Sequence, residues 1–350
     1  MYKILVFGMT NNRGGMESVI KNFFTYMDKD KFHLDFVCTR EGEIGFKEDF
    51  DRLSKSPIQY HRVPRRREQP VLYKKALEKV FKEGNYDAVW INALMIVNLG
   101  NMKMAKKYGV KKIILHSHNA KTTAKQFSNL VHDVTKHFVH RYATDFWSCS
   151  EQATDWMFPK KIHDKVKWIP NAIDIDKFIF NEEKRNKLRK EFNITDEEFI
   201  IGNVARIDYQ KNQEFIIDVF SEFAKRKDKT RLFLVGGGDT SSLELQATKL
   251  GIRDKVEFLG MRSDVEDLCS MFDFFIFPSR FEGLGVALLE AQANGVPILA
   301  SDVIPPEVIV NSNYHYLSLS DSPIKWAEKI LELQQEKRID TNIVKNNLIE

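Results

Sequence analysis

Phe274-Phe275-Ile276-Phe277-Pro278-Ser279-Arg280-Phe281-Glu282-Gly283-Leu284-Gly285-Val286-Ala287-Leu288-Leu289-Glu290-Ala291 changes its periodicity half-way along. Phe274 to Phe277 is an unbroken apolar run closed by Pro278, and it reads as a buried strand over 274–278. Gly283 and Gly285 then mark a turn, and a helix follows from about Val286 to Asn294. A buried strand that passes through a glycine turn into a helix is one βα unit. Such units build parallel sheets with helices on both faces.

The unit recurs in both directions. Strands are expected over 3–9, 33–38, 58–63, 87–92, 112–117, 145–148 and 166–170, with helices over 17–26, 71–82 and 94–108 between them. The second half repeats the pattern, with strands over 199–205, 231–235, 256–259, 274–278, 297–300 and 315–319. Its helices are expected over 213–227, 265–271, 286–294 and 324–335. Pro170-Asn171-Ala172-Ile173-Asp174 interrupts this alternation, and the expected domains are 1–170 and 171–335, with a tail over 336–350. The fold class is α/β, with two Rossmann-like parallel-sheet domains.

A chain of 350 residues with 43% hydrophobic residues is large enough for two packed cores. Its 3 cysteines, Cys38, Cys149 and Cys269, are too scattered for a disulfide framework or a zinc site, which fits a reducing cytoplasm. The opening apolar run, Ile4 to Met9, is shorter than a signal-peptide core and reads as the first strand. Charge divides unevenly. Residues 1–170 carry 30 Lys and Arg against 18 Asp and Glu, a net +12, and 171–350 carry 23 against 31, a net −8. The basic half suits an anionic partner.

Open parallel sheets bind ligands beyond the carboxyl ends of their strands, so the candidate residues are those in the loops that follow strands. After 274–278, the amides of Gly283, Leu284 and Gly285 at a helix start suit a diphosphate or sugar oxygens, with Glu282 in the turn and Glu290 in the helix. Arg206 and Lys211, five residues apart after the first strand of the second half, can hold a diphosphate and neutralise it as it leaves. Gly14-Gly15 opens a helix after the first strand. His116 and His118 stand at the end of the 112–117 strand, with His116 placed as the first residue past it; an imidazole there can hydrogen-bond a sugar hydroxyl. Gly237, in a run of three glycines, can admit a phosphate or sugar, and Met261 and Arg262 are candidates for the wall beside a base.

Together these residues resemble the retaining glycosyltransferases of family 4 (GT4), which have the GT-B fold. Glu282 and Glu290 look like the family's E-x7-E motif, Arg206 and Lys211 like its phosphate-binding pair, and Gly14-Gly15 like its N-terminal loop. Asn171-Ala172-Ile173-Asp174 resembles its N-G-[IV]-D segment, with Ala172 in place of Gly. The stretch 297–301 followed by Glu307 resembles P-V-I-A-T…E. The resemblance runs from Lys3 to about Gln335, and 14–37 with His-Ser-His-Asn is especially like bacterial capsule and exopolysaccharide enzymes. Where the family has Gly-Gly after Asp302, this chain has Val303-Ile304-Pro305-Pro306.

The resemblance implies roles. Two Rossmann-like domains face each other across a cleft. The first binds the acceptor and the second binds a nucleotide-sugar, with UDP as the expected nucleotide. Glu290 holds the ribose, and Glu282 with Gly283, Leu284 and Gly285 meets the transferred sugar. Arg206 and Lys211 stabilise the diphosphate, and Gly15, Gly237, Met261 and Arg262 line the donor side. His116 matches the active-site histidine, with His118 as the alternative; Gly14 and His118 belong to the acceptor side. The family's C-terminal helix returns to the first domain, which makes 336–350 a candidate for that return.

The expected reaction is retaining transfer of a sugar to a hydroxyl of a glycan or lipid-diphosphate-linked acceptor, with no cofactor and no metal, Arg206 and Lys211 serving as the cations for the diphosphate. A sugar-nucleotide epimerase and a non-catalytic nucleotide-sugar binder are the rival readings. No aromatic platform for nucleic acid is evident. A helical region over 120–143 carries Lys121, Lys125, Lys136 and Arg141 against Asp133, with Phe127, Leu130, Val131, Val134 and Phe138 at spacings of three and four. With Arg65-Arg66-Arg67, it is expected to hold the protein peripherally on the inner, anionic face of a membrane.

Overall fold

The computed structural model describes residues 1–39, 42–121 and 126–349. The chain divides into two compact units, Met1–Ala172 and Ile173–Glu350. The first holds strands β1 (Tyr2–Phe7), β2 (Phe32–Cys38), β3 (Tyr60–Arg62), β4 (Ala88–Ala93), β5 (Lys112–Ser117), β6 (Asp145–Ser148) and β7 (Val166–Trp168). Its helices are α1 (Gly15–Tyr26), α2 (Lys47–Leu53), α3 (Pro70–Gly84), α4 (Gly100–Lys107), α5 (Gln126–Thr135) and α6 (Glu151–Met157). The second holds β8 (Phe199–Val204), β9 (Thr230–Val235), β10 (Val256–Gly260), β11 (Phe274–Phe277), β12 (Ile298–Ser301) and β13 (Tyr314–Leu317). Its helices are α7 (Ile175–Phe178), α8 (Glu182–Glu191), α9 (Gln213–Ala224), α10 (Ser241–Lys249), α11 (Val265–Met271), α12 (Val286–Ala293), α13 (Pro323–Leu333) and α14 (Thr341–Ile349).

Both sheets are parallel, in the orders β3-β2-β1-β4-β5-β6-β7 and β10-β9-β8-β11-β12-β13. In each, the chain builds outward to one side and then crosses to the other. The strand order therefore reverses between β1 and β4 and between β8 and β11, and a crevice opens at the carboxyl ends of those pairs. The expected strands all form; the central ones are short apolar runs buried from both sides, with all four residues of β11 in the core, whereas the edge strands β3 and β7 are partly exposed. Helices cover each sheet through their apolar stripes. In α9, Ile216, Ile217, Phe220 and Phe223 pack on β8 and β9 in one cluster with Trp326 of α13.

Three expectations need correction. The helix expected over 94–108 begins only at Gly100; the preceding segment is a loop whose Ile96 amide donates to His132 Nδ1 at 3.0 Å. The long helix expected over 120–143 is α5 followed by a 3-10 segment, Lys136–Arg141, and Lys125 lies outside the described residues. The segment after α13 stays in the second unit. There the Arg338 guanidinium donates to the carbonyls of Cys269, Ser270, Phe272 and Asn294, and α14 packs beside α12, with Asn347 bonded to Asn311.

Candidate active site

The second unit gathers its charged candidates at the β8/β11 reversal. Asn203, near the end of β8, donates to the Ile276 carbonyl of β11 at 2.8 Å and fixes the two strand ends together. Beyond them, the β8–α9 and β11–α12 loops are laced to each other. The Arg280 amide donates to Gln210 O at 2.8 Å, Gln210 Nε2 to Phe281 O at 2.9 Å, and Asn212 Nδ2 to Pro278 O at 3.1 Å. Arg280 Nη2 closes the set on Asn212 Oδ1 at 2.6 Å, with its guanidinium 4.4 Å from the Tyr209 ring centre.

This lacing brings together two residues 71 positions apart. Lys211 Nζ donates to Glu282 Oε1 at 2.5 Å, and their side chains are only 17% and 6% exposed. The ammonium also lies 4.9 Å from the centre of the Phe277 ring. An ion pair held between a strand end and an aromatic face is poorly screened, so any anion that replaces Glu282 as its partner meets a strong field. Arg206 is different. It is half-exposed and pairs with Asp208 at 2.8 Å, while Asp208 also accepts the Lys211 amide at 3.1 Å. Asp208 and Arg280 are not marked as site residues by the sequence, beyond the Arg-x-Asp spacing of Arg206 and Asp208.

The helix start differs in detail from expectation. Gly285, at φ +86°, caps α12 in the left-handed region that favours glycine, so the first helical amides belong to Val286 and Ala287 rather than to Gly283 and Leu284. Gly283, Leu284 and Gly285 are buried beside Glu282, and Glu290 is half-buried on α12. Glu290's charge adds to the burial that pushes the Cys269 thiol upward.

The loops after β9 and β10 complete the rim. Gly236 donates to Gly260 O at 2.8 Å, and a Cβ on Gly236 would lie 2.0 Å from the Ala205 carbonyl, so only glycine fits. Gly237 accepts the Ile207 amide at 2.9 Å and packs against Met261, which is 70% exposed. Arg262 is engaged by Asp264 through two hydrogen bonds of 2.8 and 2.7 Å, so it forms no free wall.

In the first unit, Gly14 caps α1 and Gly15 is its first residue. Glu17, buried in the first turn of α1, accepts from Thr10 Oγ1 at 2.5 Å. His116 is not past its strand, as expected, but inside β5, paired with Asn92 and Trp147 and fully buried. His118 follows the strand, half-buried, with Nε2 bonded to Asn92 Oδ1 at 2.7 Å. Burial, reinforced by His118, lowers the His116 imidazole well below its ordinary value, and burial pushes His118 down to about 3. Both rings are neutral at physiological pH.

Two family models match the chain: Glycosyltransferase Family 4 over residues 13–177, and Glycosyl transferases group 1 over residues 184–348. The chain belongs to the family 4 glycosyltransferases. It is an enzyme of sugar transfer, and its fold is GT-B. EpsF of Bacillus subtilis (strain 168), named as a glycosyltransferase, is 29% identical over 345 residues, covering 96% of this chain and 89% of EpsF. The Escherichia coli UDP-Gal:alpha-D-GlcNAc-diphosphoundecaprenol alpha-1,3-galactosyltransferase is 23% identical over 86% of this chain and 79% of its own length. Among solved structures, Anabaena HepE in complex with UDP-glucose superposes with a TM-score of 0.80 at 19% identity, over 100% of this chain and 94% of HepE. Among the described residues, no cluster of three or more His, Cys, Asp or Glu side chains is placed to hold a metal ion. None of the described helices is long and apolar enough to cross a membrane.

Proposed function

We propose that this glycosyltransferase takes a sugar from a UDP-linked donor, with retention and without a metal, and delivers it to a lipid-diphosphate-linked glycan in exopolysaccharide synthesis. The Lys211–Glu282 pair at the β8/β11 reversal carries the reading. A donor diphosphate entering there takes Lys211 as its cation and draws half-exposed Arg206 from Asp208. Glu282 is thereby released toward the sugar, beside the start of α12. As the diphosphate leaves, these cations stabilise its growing charge. The E. coli relative's diphosphoundecaprenol acceptor and HepE's UDP-glucose support the choice of partners. Calorimetry with UDP-, GDP- and ADP-sugars tests the donor, and the NMR coupling of the new anomeric proton tests retention. Binding of only GDP-sugars, or an inverted product, refutes the corresponding part.

A lipid-diphosphate-linked acceptor would lie at a membrane surface, and α5 supports that reading. Phe127, Leu130 and Val134 are 75%, 62% and 57% exposed, so this stripe faces outward, while His132 and Val139 take the inward positions. Arg141 stacks on Phe138 at 4.9 Å, and Arg65, Arg66 and Arg67 are exposed in the same unit. An outward apolar stripe flanked by cations suits an anionic bilayer interface. Sedimentation with anionic liposomes should carry the protein down at low salt and release it at high salt. Protein that stays in the supernatant at low salt refutes the membrane reading and leaves the transferase reading intact.

A further inference from the structure

On the sheet face that α1 covers, where Phe23 meets Trp90, four side chains form two short hydrogen-bonded chains. In the first, Asn92 Nδ2 donates to the Phe7 carbonyl at 3.2 Å, which turns its Oδ1 toward His118 Nε2 at 2.7 Å. An amide oxygen only accepts, so His118 Nε2 carries the proton and its Nδ1 keeps a lone pair. In the second, Trp90 Nε1 lies 3.3 Å from His116 Nδ1. An indole N–H only donates, so His116 Nδ1 is the acceptor and its proton sits on Nε2. The remaining atoms, His116 Nε2 and His118 Nδ1, have no protein partner, and the ring centres are 4.0 Å apart.

We infer that Trp90 and Asn92 are positioning residues that lock both imidazoles in the Nε2–H tautomer, so that His116 and His118 offer one donor and one acceptor to a single ligand hydroxyl. A hydroxyl is the group that satisfies both, since it accepts at oxygen while donating its own proton. A buried polar atom without a partner costs free energy, so the pair gains most when that hydroxyl arrives. His116 is fixed within β5 and fully buried; His118, half-buried past the strand end, is the more accessible of the two rings. Burial disfavours the charged form of both rings and makes them weak bases, so the pair orients the hydroxyl and does not take its proton. The hydroxyl rests on the transferase reading; the tautomers do not.

Long-range proton–nitrogen NMR on the full chain with ring-labelled histidine, assigned through His116→Gln and His118→Gln, tests the lock without any ligand. The expected spectrum shows a proton on Nε2 and none on Nδ1 for both residues at pH 7. In Trp90→Phe only His116 should become a tautomer mixture, and in Asn92→Leu only His118. UDP release from the best-bound UDP-sugar should then fall by about tenfold in each variant, the effect of one lost hydrogen bond. A protonated Nδ1 in either wild-type ring overturns the inference. So does unchanged turnover in a variant whose tautomer has scrambled. A wild-type chain that releases no UDP from any donor counts against the transferase reading instead, and the tautomer result stands apart from it.

Discussion

Replacing Lys211 by Ala should separate the structural and chemical duties of the buried ion pair. The substitution leaves the Glu282 carboxylate, 6% exposed, without its cation. Removing one partner of a buried pair typically costs about 3–5 kcal/mol, because the remaining charge stays desolvated. The Lys211 side chain is 17% exposed, so water can partly replace it and the expected loss is near the lower end, about 3 kcal/mol. Adding Glu282→Gln removes the stranded charge, so the double variant should regain most of that stability. Nucleotide affinity should behave differently. Loss of the cation should weaken UDP by at least about tenfold, or roughly 1.4 kcal/mol, in both the single and the double variant. Urea unfolding followed by a probe in the second unit gives the first quantity, and calorimetry with UDP gives the second. Wild-type stability together with wild-type UDP affinity in Lys211→Ala would refute the reasoning. Equal destabilisation of single and double variants would show that packing of the lysine stem on Phe277, not charge, sets the cost.

Glu290→Ala should also weaken donor binding by about tenfold while leaving the fold intact, the size expected for a lost hydrogen bond to a carboxylate; equal affinities by calorimetry would remove Glu290 from the site. EDTA should leave turnover in place, and complete loss restored by a divalent cation would reverse the metal-free proposal. The lowered His118 pKa makes stability pH-dependent: the unfolded ring binds a proton near its ordinary 6.5, the folded one only near 3. Between those values the unfolded state holds more protons, so stability is complete above about pH 6.5 and falls as pH drops, by about 1 kcal/mol per unit. Urea midpoints at pH 7 and 5 should fall less in His118→Gln than in wild type, and identical shifts would contradict a neutral buried ring.

The central strands were legible because each is a short apolar run that a parallel sheet buries on both faces, and β5 and β6 match their expected limits residue for residue. The loop before α4 was not. Ile96 and Leu99 stand three apart, as on one face of a helix, but the Ile96 amide is taken by His132, and the helix waits for Gly100. The site was legible as a set of loops and not as a set of contacts. Glycines and charges after strands mark where a ligand can sit, while the meeting of Lys211 with Glu282 depends on β8 and β11 becoming neighbours. His116 shows the same limit from the other side: its position near a strand end suggests a ring within reach of a sugar hydroxyl, and only the flanking Trp90 and Trp147 reveal that it is enclosed. The outward stripe on α5 was visible as a periodicity, but which way it faced was decided by the opposite side of the helix, where His132 accepts from Ile96.

The central claim is sugar transfer from a UDP-linked donor to a lipid-diphosphate-linked acceptor. Its most direct test incubates the full chain with UDP-glucose, UDP-galactose or UDP-N-acetylglucosamine and undecaprenyl-diphosphate-linked sugar in anionic vesicles, followed by mass spectrometry of the lipid. The account predicts a lipid heavier by one sugar residue, matched by an equal amount of released UDP, with one of the three donors. Conversion of the donor to a different UDP-sugar in the absence of acceptor, or tight donor binding with no product on any lipid, would contradict it.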